Sequence, residues 1–156
     1  MTTDLGIKLD PAQLARRYAA DPATWHTPPR FDPDDRWFAR LHADADHEAW
    51  LLTWLPGQGT GLHDHGGASG AFLVLDGEVT EDVVGPSRAP RMVSRAYPAG
   101  RARTFGAHHV HRVHNAGRQP AVTLHVYVPG LVAMTQYEYA DGELRALRTE
   151  REGVDW

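Results

Sequence analysis

Residues 57–77 read GQGTGLHDHGGASGAFLVLDG. Two histidines one residue apart, His63 and His65, follow a glycine-rich turn, and an apolar run over 69–76 (SGAFLVLD) follows them. On an extended strand alternate side chains share a face, so His63 and His65 project together while Asp64 points away. Asp76-Gly77 lies between two apolar runs and signals a hairpin. Outward from this stretch the pattern repeats. Residues 47–55 (HEAWLLTWL) and 119–128 (QPAVTLHVYV) are short runs of aromatic and aliphatic residues. Pro56-Gly57, Gly85-Pro86, Pro98-Ala99-Gly100 and Pro129-Gly130 supply the turns between such runs. From Arg36 onward the pattern predicts roughly ten strands with turns about every 8–12 residues, which means a β-sandwich or barrel.

The first 30 residues differ. Asp10-Pro11 is a helix start, with Leu14 and Tyr18 one turn apart on one face. Asp21-Pro22 restarts a short turn of helix, and Pro28-Pro29 ends it. The expectation is a single, mostly β domain over 1–156, with a helical N-terminal segment (1–30) and a β-barrel (31–150).

Composition narrows the function. A chain of 156 residues, 42% hydrophobic and 23% charged, is ordinary for a globular domain with one core. The net charge of -4, without any Lys/Arg block, gives no reason to expect nucleic acid or an anionic membrane surface as a partner. Asp32, Asp34, Asp35, Asp44 and Asp46 read as solvated loop positions. The absence of cysteine excludes disulfides, a zinc–thiolate site and a cysteine nucleophile. No apolar run approaches the ~20 residues of a membrane span, and MTTDLGIKLD has no signal-peptide core. The default is a cytoplasmic protein without a membrane partner, with a monomer favoured.

Histidine is the oddity: ten in all, five of them between His108 and His125. Two imidazoles on one strand face can chelate a metal, and a third ligand must come from elsewhere. His111, within His111-Arg112-Val113-His114-Asn115, is the best candidate. Strand alternation puts His109 on the same face, so it is the rival, whereas His108 is not. A lone His-x-His pair is more often a packed or surface pair than a metal site. The glycine spacing around this pair and the second histidine segment shift the balance to a metal. His26, His42 and His47 fall outside the pattern and read as surface residues.

Gly57-x5-His63-x-His65-x4-Gly70-x6-Gly77 resembles the first cupin motif, and His111-x3-Asn115 the end of the second. Most cupins place a glutamate near position 69 or 70; this chain has Ser69 and Gly70. Together with His111-Arg112-Val113 and Thr123-Leu124-His125-Val126-Tyr127-x-Pro129, that loss resembles the cysteine dioxygenase type I family of thiol dioxygenases, from about Trp37 to Leu131. The resemblance implies a cupin-type β-barrel (a double-stranded β-helix) and iron(II) held by His63, His65 and His111. Three neutral imidazoles suit iron(II), and a substrate thiolate can supply the anion that glutamate supplies elsewhere. The implied reaction adds both atoms of O2 to the sulfur of a small carboxylated thiol. L-Cysteine is the first expectation, with 3-mercaptopropionate and related thiols left open.

The resemblance also implies roles for other residues. Arg40, in Trp37-Phe38-Ala39-Arg40-Leu41, falls where the family's carboxylate-binding arginine would lie. Thr123, His125 and Tyr127 match a hydrogen-bonded row beside the iron, and Trp54 an aromatic packed against the row's histidine. With no cysteine near Gly70, Tyr127 is uncrosslinked. His114 stands where the family often has glutamate, which would alter the charge around the pocket, and Val128-Pro129 matches a cis Ser-Pro step. Two other classes remain: a three-histidine cupin using iron, manganese or zinc for different chemistry, and a binding module without turnover.

Overall fold

The structure, a computed structural model, describes residues 8–152, so residues 1–7 of the expected helical segment lie outside the described residues. Helix α1 spans Pro11–Ala20. The Asp10 side chain accepts hydrogen bonds from the backbone N–H of Ala12 (2.9 Å) and Gln13 (3.4 Å). Pro11 takes the first helical position, where a missing N–H costs nothing. A 3-10 turn, Pro22–Trp25, follows the second Asp-Pro step.

Eleven strands make up the rest of the described chain: β1 (Phe38–Ala43), β2 (Glu48–Trp54), β3 (Leu62–His63), β4 (Ser69–Asp76), β5 (Glu78–Val84), β6 (Met92–Pro98), β7 (Ala102–Phe105), β8 (His111–His114), β9 (Ala121–Val128), β10 (Ala133–Ala140) and β11 (Glu143–Arg151). They form two sheets, β1-β2-β9-β4-β7 and β11-β10-β3-β8-β5-β6. Residues of both sheets, Trp54 and Phe72 from one and Val79, Tyr97 and Val113 from the other, share a buried core. This is the double-stranded barrel that the strand pattern and the cupin resemblance predict.

One local expectation is corrected. Asp76-Gly77 makes no hairpin: β4 pairs with β7 and β9, whereas β5 pairs with β6 and β8. The dipeptide carries the chain from one sheet to the other. Gly77 adopts φ +71°, and a Cβ there would collide with the Pro120 carbonyl. A corner needs the same positive φ as a hairpin turn, so the dipeptide signal does not separate them.

Strand β9 lies between β2 and β4 and is buried on both faces. Val122, Leu124 and Val126 pack outward with Leu51 and Leu73 against Ala15, Leu14 and Tyr18, so α1 closes the outer face of the five-stranded sheet. Thr123, His125 and Tyr127 therefore face the barrel interior. A strand with one apolar side under a helix and one polar side inside a barrel needs a use for its buried polar groups. Of the histidines expected at the surface, His26 is exposed, whereas His42 and His47 are partly covered. His42 and His47 stack at 4.1 Å between β1 and β2, the Tyr18 hydroxyl meets His47 Nε2 at 2.9 Å, and His26 Nε2 donates to the Leu41 carbonyl at 3.2 Å.

Candidate metal centre

Register brings the first two ligand candidates together: β3 pairs with β8 so that His63 lies opposite His111. His65 lies just past the end of β3, where Gly66 (φ +60°) and Gly67 (φ +92°) turn the chain back toward β4. Asp64, between the two histidines, turns away and pins the segment to β10. Its Oδ1 accepts from the Thr135 N–H (2.9 Å) and its Oδ2 from the Tyr137 hydroxyl (2.8 Å). The rings of His63, His65 and His111 lie 4.9–5.0 Å apart, centroid to centroid.

Hydrogen bonding fixes which nitrogens converge. His63 Nδ1 is 2.8 Å from the Gly61 carbonyl, and His111 Nδ1 is 2.7 Å from Glu81 Oε2. A carbonyl and a carboxylate only accept, so both Nδ1 atoms carry the proton and both Nε2 atoms keep a lone pair. His111 Nε2 faces His65 Nε2 at 3.3 Å, and the buried Nδ1 of His65 has no partner. Nitrogens of two ligands bound at about 2.1 Å and roughly 100° to one another would be separated by about this distance. The donor set fits a divalent metal: three neutral imidazoles, converging through Nε2.

The rival third ligand faces elsewhere. His109 Nε2 is directed at Glu81 Oε2 (2.9 Å), and its ring stacks on Phe105 at 4.9 Å. Phe105 also stacks on His65 at 4.8 Å. It fills the space a side chain at position 70 would need, since a Cβ on Gly70 would lie 2.7 Å from its ring. Ser69 turns its hydroxyl to the Val128 carbonyl at 3.0 Å. Neither position offers a carboxylate to the histidines. His114 is on the opposite face of β8, partly exposed and bonded to Asp82 at 3.1 Å, so the expected effect on the pocket does not arise by contact.

Behind the opposite wall, the Trp54 Nε1–H donates to Thr123 Oγ1 (2.9 Å), leaving the Thr123 hydroxyl proton for His125 Nε2 (2.8 Å). This hydrogen-bonded row stops at His125. Tyr127 is placed by packing instead, with its ring 4.9 Å from that of His65. The Val128-Pro129 bond is cis, as the family resemblance implies.

A cavity of 430 Å³ joins these walls, lined by His63, His111, His125, Tyr127, Trp54 and Arg36 among others. Arg40, the expected carboxylate anchor, is not on that lining. Its half-exposed guanidinium lies over Trp50 and reaches Glu48 and Glu152 at 3.8 and 3.9 Å. Arg36, four residues earlier, stacks over Trp54 at 4.9 Å, and its buried Nε and Nη1 make no hydrogen bond to the protein. Sequence reading missed it because no spacing ties an arginine ahead of β1 to a histidine centre. It also missed Glu81, for which a signal existed: in EVTEDVV (78–84) a glutamate alternates with Val79 on the face that proves to be interior.

Burial sets the electrostatics. It holds His65, His111 and His125 below the usual imidazole range and takes His63 to about 3. For His111 the Glu81 bond works in the opposite direction. The ligands are thus neutral near pH 7, as a metal requires. Burial raises the Tyr127 phenol well above its ordinary value, with Arg36 opposing, so the hydroxyl remains a donor. At Glu81 burial also raises the carboxyl, but hydrogen bonds from His109, His111 and Arg103 outweigh it and leave the group ionised.

Known proteins share this architecture. A Thermus thermophilus protein of known structure is 26% identical, with TM-score 0.56, 65% of this chain and 90% of that chain covered. A Klebsiella pneumoniae protein with a double-stranded β-helix domain is 17% identical, with TM-score 0.57 and coverages of 76% and 90%. Oxalate oxidase in complex with the substrate analogue glycolate is 18% identical, with TM-score 0.58 and coverages of 70% and 60%. At the level of sequence, the profile of cysteine dioxygenase type I matches residues 8–140, which include α1, all three histidines and the Thr123–Tyr127 row. The chain belongs to the cysteine dioxygenase type I family.

Proposed function

We propose that this metal-dependent cupin enzyme is an iron(II) thiol dioxygenase that converts a small carboxylated thiol, R–SH, and O2 to the sulfinic acid R–SO2H, with L-cysteine as the first candidate. One observation carries the reading. An arginine with unpaired donors lines the same cavity as a neutral face of histidine nitrogens. Bound iron(II) would supply the Lewis acidity that takes a thiol as thiolate and the redox centre that activates dioxygen.

The chain's own groups do the rest. Arg36 takes the substrate carboxylate through its fork of N–H donors, and the Trp54 plane beneath it limits its rotation. In this proposal the anchoring role passes from Arg40 to Arg36, because Arg40 is already paired with two carboxylates at the barrel rim. The Trp54–Thr123–His125 row orients the imidazole of His125 on the cavity wall. Tyr127 keeps its proton and can donate a hydrogen bond to the substrate or to the oxidised sulfur. Trp50, Leu52 and Leu131 make much of the remaining wall apolar, which restricts water around the thiolate.

The experiment is oxygen uptake by iron(II)-loaded protein with L-cysteine, 3-mercaptopropionate, cysteamine and a non-thiol acid, with product mass. Stoichiometric uptake and two added oxygen atoms on a carboxylated thiol support the reading. Bound iron without uptake on any thiol would overturn it.

A further inference from the structure

Glu81 stands behind the histidine centre, on β5, with a side chain only 1% exposed. Three donors surround it: Arg103 Nε at 2.8 Å from Oε1, and His109 Nε2 (2.9 Å) and His111 Nδ1 (2.7 Å) on Oε2. An ionised carboxylate is acceptor-only and satisfies all three; a glutamine would set its own N–H2 against a donor. Burying such an anion costs several kcal/mol unless a cation and hydrogen bonds compensate, and here Arg103 supplies the cation. The fold thus maintains a costly group beside an imidazole whose far nitrogen faces His65.

We propose that Glu81 is a positioning residue for the metal centre: it holds the His111 proton on Nδ1, turns the His111 Nε2 lone pair toward His63 and His65, and keeps His109 out of the ligand set. This rests on the reading of the three histidines as a metal site. Ligand imidazoles in general depend on an acceptor at their other nitrogen for tautomer, orientation and basicity. His63 has a carbonyl in that place, His111 has a carboxylate, and His65 has nothing. His111 is therefore the ligand whose donor strength the protein sets by charge. Glu81, His109 and His111 are also close enough to hold a cation themselves, but the Arg103 guanidinium on the same carboxylate opposes one.

The test uses the full-length apoprotein and cobalt(II) as probe, without thiol or oxygen. Nitrogen-15 NMR of the wild-type apoprotein is expected to show His111 as a single Nδ1–H tautomer. Glu81→Gln and Glu81→Ala are expected to mix the tautomers and to weaken cobalt(II) binding by about 10–100-fold, with one ion per chain throughout. Three results would overturn the proposal. One is an Nε2–H tautomer in the wild type, which requires no variant. Another is a folded Glu81→Gln protein with wild-type affinity and tautomer. The third is a second cobalt(II) ion lost on Glu81→Gln, which would make Glu81 a ligand. Failure of the wild type to bind cobalt(II) at all would instead remove the metal-centre reading beneath it.

Discussion

Replacing Arg36 by methionine should raise stability and lower activity at once. Arg36 Nε and Nη1 are buried without a hydrogen-bond partner, and each such group costs about 1–3 kcal/mol. Methionine removes both while its stem still covers Trp54. Lost with the guanidinium is the stacking on that ring at 4.9 Å, about 0.5–2 kcal/mol. The balance spans about 0–5 kcal/mol in favour of the variant, and its middle, about 3 kcal/mol, is a rise in Tm of about 6–12 °C for a chain of this size. Catalysis moves the opposite way. Two charge-assisted bonds to a carboxylate contribute about 1.5–3 kcal/mol each, and the lower end suits an open cavity. A loss of about 3 kcal/mol is roughly 150-fold in kcat/KM for a carboxylated thiol. Cysteamine, which has no carboxylate, should not show that loss. Arg40→Gln gives the comparison: its ion pairs, at 3.8 and 3.9 Å from a half-exposed guanidinium, are worth about 0–1 kcal/mol, so its kcat/KM should fall less than about fivefold. Melting curves of the apoproteins and oxygen uptake decide the matter. A lower Tm for Arg36→Met, or a hundredfold loss for Arg40→Gln with little for Arg36→Met, would refute the assignment.

Other perturbations follow from the same contacts. His111→Ala should abolish cobalt(II) or iron(II) binding, measured by equilibrium dialysis, whereas His109→Ala should retain it, because His109 Nε2 faces Glu81 and not the other ligands. Thr123→Val leaves both the Trp54 N–H and His125 Nε2 without a partner and should cost about 2–4 kcal/mol by denaturant titration; Thr123→Ser, which keeps the hydroxyl, should cost less than half of that. Stability of the apoprotein should fall with pH from about 6.5, the unperturbed imidazole value. His63 titrates at about 3 when folded, so the unfolded chain binds more protons across that window, and stability rises with pH there. Melts at pH 7, 6 and 5 check this; an unchanged Tm over that range would mean that the buried histidines are not neutral in the fold.

The barrel was legible because its evidence is periodic. The apolar runs in 69–76 and 119–128, punctuated by Gly and Pro, read as strands whatever their partners are, and the strands appear at Ser69–Asp76 and Ala121–Val128. Sheet membership was not legible, since Asp76-Gly77 looks the same as hairpin or corner, and only the pairing of β4 and β5 with different neighbours decides. In the site, His63 and His65 could be read from their spacing of two, although only His63 lies in β3 and His65 follows its end. The choice of His111 over His109 rested on resemblance alone. Alternation predicts both on one strand face, but β8 begins only at His111, and the His109 ring is bonded to Glu81, from another strand. The arginine proposed as anchor lies four residues before the one that the sequence suggested, for a similar reason. Arg40 sits in a regular strand with an attractive local motif, whereas Arg36 gains its role from Trp54, which reaches it across the fold.

Charge ties these pieces together. Among the groups around the cavity, the histidines contribute none near pH 7, the Glu150 carboxylate is balanced by Arg148 at 2.8 Å, and Arg36 contributes one positive charge without a carboxylate partner. The Glu81 anion is engaged by Arg103 and two imidazole N–H groups behind the centre. A divalent metal on the three histidines would thus add to an unbalanced positive charge. The ligand that best balances it carries two negative charges a few bonds apart, a thiolate at one end and a carboxylate at the other. A thiol amine brings one negative charge and sets its ammonium toward Arg36, where two unit charges at 4 Å repel by about 4 kcal/mol at an effective dielectric of 20. Discrimination between cysteine and 3-mercaptopropionate has no such lever in Arg36, since both present the carboxylate. Selectivity for the α-amino group must come from the remaining polar lining, where Gln136 and Glu150 face the same cavity and Glu150, although paired with Arg148 at 2.8 Å, is the carboxylate that can accept from an ammonium. Glu150→Gln should therefore raise KM for cysteine and leave that for 3-mercaptopropionate unchanged or lower; equal effects on both thiols would remove Glu150 from substrate selection.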